Sequence, residues 1–429
     1  MRSVAFHTLG CKVNQYDSQA MLELFEQAGY EVRDFSEVAD IYVVNTCTVT
    51  GTGDKKSLNA VRRALRQNPA AEVVIAGCLA QRDGEKLLST GARLVIGNAR
   101  RGEVVKLLEE AVEKGERVAA VTDILRTPYE PLFISRHEGH TRAVLKIQEG
   151  CDRYCTYCII PYVRGGIRSR RPEEIKAEAC RLAQAGFSEL VLTGIHLTSY
   201  GRDLEGQTLL DAVRACDVPG VRRIRLGSLE PVIVTEEFAA ELSKIEKVCP
   251  QFHLALQSGS DTVLKRMRRR YTTDEFRQAA ALLRQAFPGC AVTTDVITGF
   301  PGETEEEFAQ TMAFCREIGF ARMHVFPYSA RQGTPAAQMP GQVPKAVREE
   351  RARRLIAVGN ELARDYRAAQ VGQVMDVLIE ETDEEGVGHG YTAQYIACAV
   401  PGGEPGTVVQ VTVTGLTEDG LEGTLIHEI

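Results

Sequence analysis

Gly150-Cys151-Asp152-Arg153-Tyr154-Cys155-Thr156-Tyr157-Cys158 sets three thiols in a C-x3-C-x2-C triplet on one short stretch. Thiolates favour soft metals and iron–sulfur clusters over hard cations. A cubane [4Fe–4S] cluster usually takes four cysteines, so three leave one iron open to an outside ligand. With 12 Cys in 429 residues, chance would produce such a triplet in roughly one chain of this composition in a hundred. Positions i, i+4 and i+7 also share a helical face, which would make the triplet a buried stripe. Gly150 and Pro161 bracket the run, and Asp152 and Arg153 are poor core residues, so a loop is expected instead. A structural zinc site is the remaining alternative, with His137 or His140 as the fourth ligand.

The triplet follows an apolar run at 143–148 that reads as a strand. Further strands are expected at 189–193, 223–226, 252–256, 292–297 and 323–326. Helical segments separate them, among them 172–185, 236–245 and 305–318, and 347–370 reads as a long exit helix. Six strand–helix units are too few for a closed eight-stranded barrel, so a partial, open (βα)6 barrel is expected over 141–370. Chemistry in such barrels stands at the carboxyl ends of the strands. There the sequence places the triplet, Thr193-Gly194, Ser228-Leu229-Glu230-Pro231 and Gln257-Ser258-Gly259-Ser260. Two basic runs lie beside these loops: Arg164, Arg168, Arg170 and Arg171, and Lys265 to Arg270 with Tyr271. Such clusters fit an RNA backbone and an unstacked base, or else a solvated helix end.

Upstream, three short apolar runs each end at a cysteine. Val4 to Gly10 leads to Cys11, Ile41–Thr46 to Cys47, and 73–77 to Cys78. A helical segment follows each run, which implies a parallel α/β sheet over 1–113. The three thiols would converge in the crevice at the strands' carboxyl ends. Buried small residues would explain one such cysteine; three at equivalent positions point to a second cluster. Turn signals without a period make 114–140 a connector. From 371 to 429 there is no Lys or Arg and there are 11 Asp or Glu. Short strands between Gly-rich turns make this segment a small all-β domain. Twelve cysteines, no signal-peptide pattern and no apolar run of transmembrane length point to a reducing, cytoplasmic setting and no membrane.

The segment Ile147 to Pro161 closely resembles the cluster loop of the radical S-adenosylmethionine methylthiotransferases. The motifs around Cys11, Cys47 and Cys78 resemble that family's three auxiliary-cluster motifs. Gly390-Tyr391-Thr392-Ala393-Gln394-Tyr395 resembles the TRAM domain, an OB-like barrel. The resemblance implies an α/β protein of three parts: parallel-sheet domain, partial (βα)6 radical barrel and TRAM barrel. It implies two [4Fe–4S] clusters, held by Cys151, Cys155 and Cys158 and by Cys11, Cys47 and Cys78. It implies S-adenosylmethionine as cofactor, with Tyr157, Gly194 and Glu230 as contacts. One molecule of it methylates a sulfur carried at the auxiliary cluster, and a second yields the radical that abstracts hydrogen from the substrate carbon. An external electron donor and a sulfur source are implied partners. Gly10-Cys11-Lys12-Val13-Asn14 and Asn45-Thr46-Cys47-Thr48-Val49-Thr50 resemble the branch acting on N6-threonylcarbamoyladenosine at position 37 of the tRNA anticodon stem-loop. The isopentenyladenosine branch is the nearest alternative, and an RNA-binding module with structural metal sites is the alternative of another class. Gly227 departs from the serine usual before Ser228.

Overall fold

The computed structural model describes residues 2–428, without the side chains of Arg126 and Glu428. Met1 and Ile429, the outer limits of the first and last segments read from the sequence, lie outside it. The first unit is a parallel sheet of β1 (Ser3–Thr8), β2 (Glu31–Arg33), β3 (Ile41–Thr46), β4 (Glu72–Gly77), β5 (Leu94–Ile96) and β6 (Val118–Ala120), in the order β2-β1-β3-β4-β5-β6. Four helices cover its faces: α1 (Lys12–Gln27), α2 (Gly51–Gln67), α3 (Cys78–Asp83) and α4 (Val104–Glu113). Val43, Val44, Val73, Val74 and Ile75 are fully buried, as expected of strands covered on both sides. The order reverses at β1 and β3, which is where an open α/β sheet binds ligands. β6 comes from the stretch read as connector, pairing Ala119 with Val95. Three residues are too few to show a strand period. The rest of that stretch is a docked strap: Leu132 and Ile134 enter the central core, and the Tyr16 hydroxyl donates to the Leu132 carbonyl at 2.7 Å.

The second unit runs through β7 (Arg142–Glu149), β9 (Glu189–Gly194), β10 (Arg223–Leu226), β11 (Gln251–His253), β12 (Ala291–Thr298) and β13 (Arg322–Pro327). β8 (Arg168–Ser169) adds a short antiparallel edge to β7. Single parallel bridges such as Ile224 with Val248 and Leu229 with Leu254 join the two halves across β10 and β11. The result is an open (βα)6 arc. Its helices are α5 (Ile160–Arg164), α6 (Pro172–Gln184), α7 (Leu209–Ala215), α8 (Glu236–Ser243), α9 (Asp261–Arg266), α10 (Thr273–Ala286) and α11 (Glu305–Ile318). Thr272 with Glu275 and Thr304 with Glu307 form capping boxes that start α10 and α11. Phe252, Phe276 and Phe308 are fully buried in the core, each worth about 1.5–3 kcal/mol over exposure. α12 (Lys345–Ala368) leads out of the arc.

The last unit is a closed five-stranded barrel of β14 (Val374–Thr382), β15 (Val387–Thr392), β16 (Ala397–Pro401), β17 (Val408–Leu416) and β18 (Leu421–Glu428). β15 is hard to read from the sequence because Gly388 and Gly390 look like turn residues. They are glycine because β14 crosses closely: a Cβ on Gly390 would lie 2.0 Å from the Leu378 carbonyl oxygen. This barrel docks on the amino ends of the arc's strands. Arg223 and Arg225 donate to the carbonyls of Tyr391 and Ala393 at 3.0 and 2.9 Å. Tyr391 and Tyr395 stack on each other, with Arg142 over both rings. These tyrosines thus help hold two domains together. No helix among the described residues is long and apolar enough to cross a membrane.

Candidate active site

The Cys151–Cys158 loop follows β7 and precedes α5. Gly150 opens it at φ +74°, and a Cβ there would lie 1.8 Å from the Gly166 carbonyl oxygen, so only glycine lets the loop close. Cys151 and Cys155 are buried and Cys158 half-buried. Burial pushes the Cys151 thiol up to about 11 and the Cys158 thiol up to about 12; lesser effects include nearby Cys155. The protein also aims donors at the sulfurs: the Arg153 amide reaches Cys151 Sγ at 3.5 Å, and Arg269 Nη1 reaches Cys155 Sγ at 3.3 Å.

Cys11, Cys47 and Cys78 stand just after β1, β3 and β4, side by side in the sheet. A Cβ on Gly10 would fall 3.0 Å from Cys47 Sγ, so glycine is what lets the first loop cross the second. Cys11 is exposed on the cleft wall and Cys47 half-buried; desolvation by the surrounding protein still raises the Cys11 thiol, with Arg164 opposing and Cys78 adding to the rise. It raises Cys47 to about 11, with Cys78 and Cys11 adding. The three thiols therefore share one electrostatic neighbourhood. Cys78 packs against Ile159 and Val163, beside the other triad's loop. Arg164 Nε donates to Cys78 Sγ at 3.2 Å. Among the described residues, no group of three His, Cys, Asp or Glu side chains closes tightly enough for a single ion. The alternative histidines are engaged elsewhere: His137 accepts the Val144 amide at 3.1 Å and packs on His140.

Glu230 lies beside the first triad, buried with Arg153 at 2.9 Å, His196 at 3.1 Å and Arg269 at 2.9 Å. Burial opposes its charge, but His196, Arg269 and Arg153 outweigh that and hold its carboxyl down at about 2. Several of these buried atoms lack a well-aligned hydrogen bond, among them Glu230 Oε2, His196 Nε2 and Arg269 Nη2. The Tyr157 ring packs edge-on to Phe300 within an apolar cluster, leaving its backbone to the loop. Gly194 ends β9 with no room for a side chain, since a Cβ would lie 2.9 Å from the Gln148 side chain. A cleft of about 790 Å3 runs inside the arc, with Cys11, Lys12, Gly194 and Ser228 on its walls and Tyr395 from the last barrel.

Family comparisons divide the chain in the same way. The uncharacterised protein family UPF0004 matches residues 3–97, the radical SAM superfamily 145–315 and the TRAM domain 368–426. The threonylcarbamoyladenosine tRNA methylthiotransferase MtaB of Bacillus subtilis is 45% identical over 423 residues, covering 96% of this chain and 94% of that protein. The chain belongs to the radical S-adenosylmethionine methylthiotransferases. The MtaB protein of Aquifex aeolicus is 39% identical, covering 88% of this chain and 93% of that protein. The tRNA-2-methylthio-N(6)-dimethylallyladenosine synthase of Symbiobacterium thermophilum is 35% identical, covering 99% and 94%. Among solved structures, the radical S-adenosylmethionine methyltransferase TsrM of Kitasatospora setae shares the fold, with a TM-score of 0.58 at 16% identity over 79% of this chain and 77% of that one.

This methylthiotransferase therefore uses S-adenosylmethionine and an iron–sulfur cluster, and its residues suit both. Each triad offers soft donors, and each has an arginine facing a sulfur. The Glu230 group offers a buried carboxylate and donors with capacity left for a ligand. Several basic residues prove structural rather than RNA-facing. Arg164 and Arg170 are fully buried, and Arg168 nearly so. Arg170 pairs with Glu178, and Arg266 with Glu307 at 2.6 Å. In the second run only Lys265, Arg268 and Arg270 are exposed. Arg268 adopts φ +57°, which turns the chain after α9 and sends Arg269 inward. Sequence reasoning missed Arg269, Arg153, His196 and Arg164 as site residues. A run of four arginines within six residues carries no periodic signal of which one points inward.

Proposed function

We propose that this methylthiotransferase converts C2 of N6-threonylcarbamoyladenosine at tRNA position 37 to its 2-methylthio form, using two [4Fe–4S] clusters. Cys151, Cys155 and Cys158 hold the radical-generating cluster, and Cys11, Cys47 and Cys78 the auxiliary one. The observation that carries the reading is the second thiol triad, gathered at the switch point of its own sheet and touching the first triad's loop through Cys78 and Arg164. Radical generation needs one cluster; a second is needed for a sulfur to deliver. The names of the relatives at 45% and 39% identity support the threonylcarbamoyl substrate, and the TRAM match supports an RNA partner.

When bound, the first cluster and S-adenosylmethionine supply one-electron cleavage to a 5′-deoxyadenosyl radical. The chain's own residues hold and shield that chemistry. Arg269 places an N–H on Cys155 Sγ, offsetting negative charge at the ligand set, and Glu230 fixes Arg269 and Arg153 in place. The ionised Glu230 carboxylate accepts hydrogen bonds from the cofactor's hydroxyl or ammonium groups. Gly194 keeps its strand end open to close approach. The C-terminal barrel packs against the amino-end side of the cleft through Arg223 and Arg225.

RNA affinity gives a test of surface placement. Each phosphate contact contributes about 0.7–0.9 to the slope of log K against log salt. Arg268→Ala with Arg270→Ala is expected to flatten the slope by about 1.5. Arg269→Ala is expected to leave the slope alone and lower 5′-deoxyadenosine formation. Titration of an anticodon stem-loop over a range of salt reads the first effect. An unchanged slope in the double variant moves the RNA off this rim.

Nucleoside mass spectrometry of tRNA from cells with and without the protein tests the substrate. Loss of 2-methylthio-N6-threonylcarbamoyladenosine is the expected result. Loss of the isopentenyl counterpart instead would assign the enzyme to the other base.

A further inference from the structure

The cleft is lined by more cations than it has partners for. Lys12, Arg225, Arg322 and Arg367 line it, against Asp419 as the one lining carboxylate among the described residues. Arg225 is committed to Glu189 at 2.7 Å and to the Ala393 carbonyl. Arg367 reaches the Glu418 carbonyl at 3.4 Å. Arg322 stands at the amino end of β13, away from the strand ends where such folds do chemistry. Arg322, like Lys12, makes no ion pair or hydrogen bond among the described residues; Lys12 differs from all three in standing beside the second triad. It is the first residue of α1, directly after Cys11, and its side chain makes no ion pair or hydrogen bond among the described residues. Arg225 and Arg142 are near enough to act on it electrostatically, and Glu189 offsets them only in part. Lys12 is exposed on the cleft wall, so water solvates its ammonium until an anion entering the cleft pairs with it.

The anion can be identified by chemistry. This step rests on the proposed substrate. The carbon that receives sulfur is C2 of the adenine, and on that reading it approaches the Cys11 triad. C2 and the N6-bearing C6 flank the same ring nitrogen, N1, so an N6 substituent lies on the edge of the base that faces this triad. A threonylcarbamoyl substituent ends in a carboxylate; an isopentenyl substituent has no charge. We infer that Lys12 is a specificity-determining residue that pairs with the carboxylate of the threonylcarbamoyl group when the base enters the cleft. A backbone phosphate is the other anion that could meet Lys12, and it shares the same recognition chemistry.

The experiment separates the two. The same anticodon stem-loop RNA is prepared with N6-threonylcarbamoyladenosine and with its threoninamide analogue, in which a neutral carboxamide replaces the carboxylate. Affinity and methylthio product are measured with anaerobically reconstituted enzyme, wild type and Lys12→Gln. The wild type is expected to bind the acid about 30-fold more tightly than the amide, the scale of a charge-assisted hydrogen bond in a partly enclosed site. Lys12→Gln is expected to lose that preference, weakening the acid about 30-fold and leaving the amide within about twofold. Lys12→Arg is expected to keep most of the preference, since it keeps the charge. Iron content and 5′-deoxyadenosine formation establish that each variant keeps its clusters. Equal weakening of acid and amide by Lys12→Gln identifies a phosphate contact and overturns the inference. A preference that survives Lys12→Gln overturns it also, because the carboxylate is then read elsewhere. Wild-type enzyme that methylthiolates neither RNA, but does act on the isopentenyl form, overturns the proposed substrate itself.

Discussion

The variant carrying Cys11→Ala, Cys47→Ala and Cys78→Ala is expected to cleave S-adenosylmethionine to 5′-deoxyadenosine and to give no detectable methylthio product. The two triads stand on different units, and the groups facing the first, Arg153, Arg269 and Glu230, belong to the (βα)6 arc. Emptying the second triad leaves them untouched. Liquid chromatography of deoxyadenosine and mass spectrometry of the RNA read the two activities on one sample. Methylthiolated RNA from this variant would remove the auxiliary site from the reaction. A single Cys47→Ser exchange guards against simple misfolding, because it keeps the volume of the side chain; the same split of activities is expected from it.

Asp17→Ala is expected to be the most damaging single change to stability, at about 3–5 kcal/mol. Asp17 is fully buried at the junction of the first two units. It pairs with Arg101 and Lys146, and with Arg164 at 3.1 Å. Glu149 joins the same network, with Arg164 at 2.9 Å. Burial works against ionisation of Asp17, but Arg101, Lys146 and Arg164 prevail and hold its carboxyl below the usual range. Removing it leaves three buried cations sharing Glu149 and Glu130. The sign of the pH effect follows. A carboxyl whose folded value is depressed contributes stability above its unfolded value of about 3.9 and loses that contribution as pH falls below it. The gap in thermal midpoint between wild type and Asp17→Ala should therefore be full near neutrality and shrink below about pH 4. A gap that stays constant on acidification would show that Asp17 stabilises by packing and not by charge. The same network holds Arg164, which donates to Cys78 Sγ, so Asp17→Ala should also loosen that contact.

Much of this arrangement was legible in the chain. Strands such as Arg223–Leu226 and helices such as Glu305–Ile318 fall where periodicity and capping residues place them, because local pattern and tertiary burial agree there. The convergence of Cys11, Cys47 and Cys78 followed from parallel topology alone. What escaped was decided by contacts distant in sequence. Val387–Thr392 hid behind glycines demanded by a crossing strand. Arg164, Arg170 and Arg269 looked like a solvated or RNA-facing surface, yet each is buried by a carboxylate from another segment. Glu230 was read as a cofactor contact from the family resemblance; that three basic side chains would surround it could not be seen from its place after a strand. The acidic last unit keeps its tyrosines for Arg142 and Arg225, a pairing across more than 160 residues.

The measurement that bears most directly on the account is the iron and acid-labile sulfide content of anaerobically reconstituted protein. Two [4Fe–4S] clusters predict about eight irons and about eight sulfides per chain. The Cys151→Ala, Cys155→Ala, Cys158→Ala variant and the Cys11→Ala, Cys47→Ala, Cys78→Ala variant should each retain about half. A wild-type plateau at about four irons, unchanged by loss of Cys11, Cys47 and Cys78, would contradict the two-cluster mechanism.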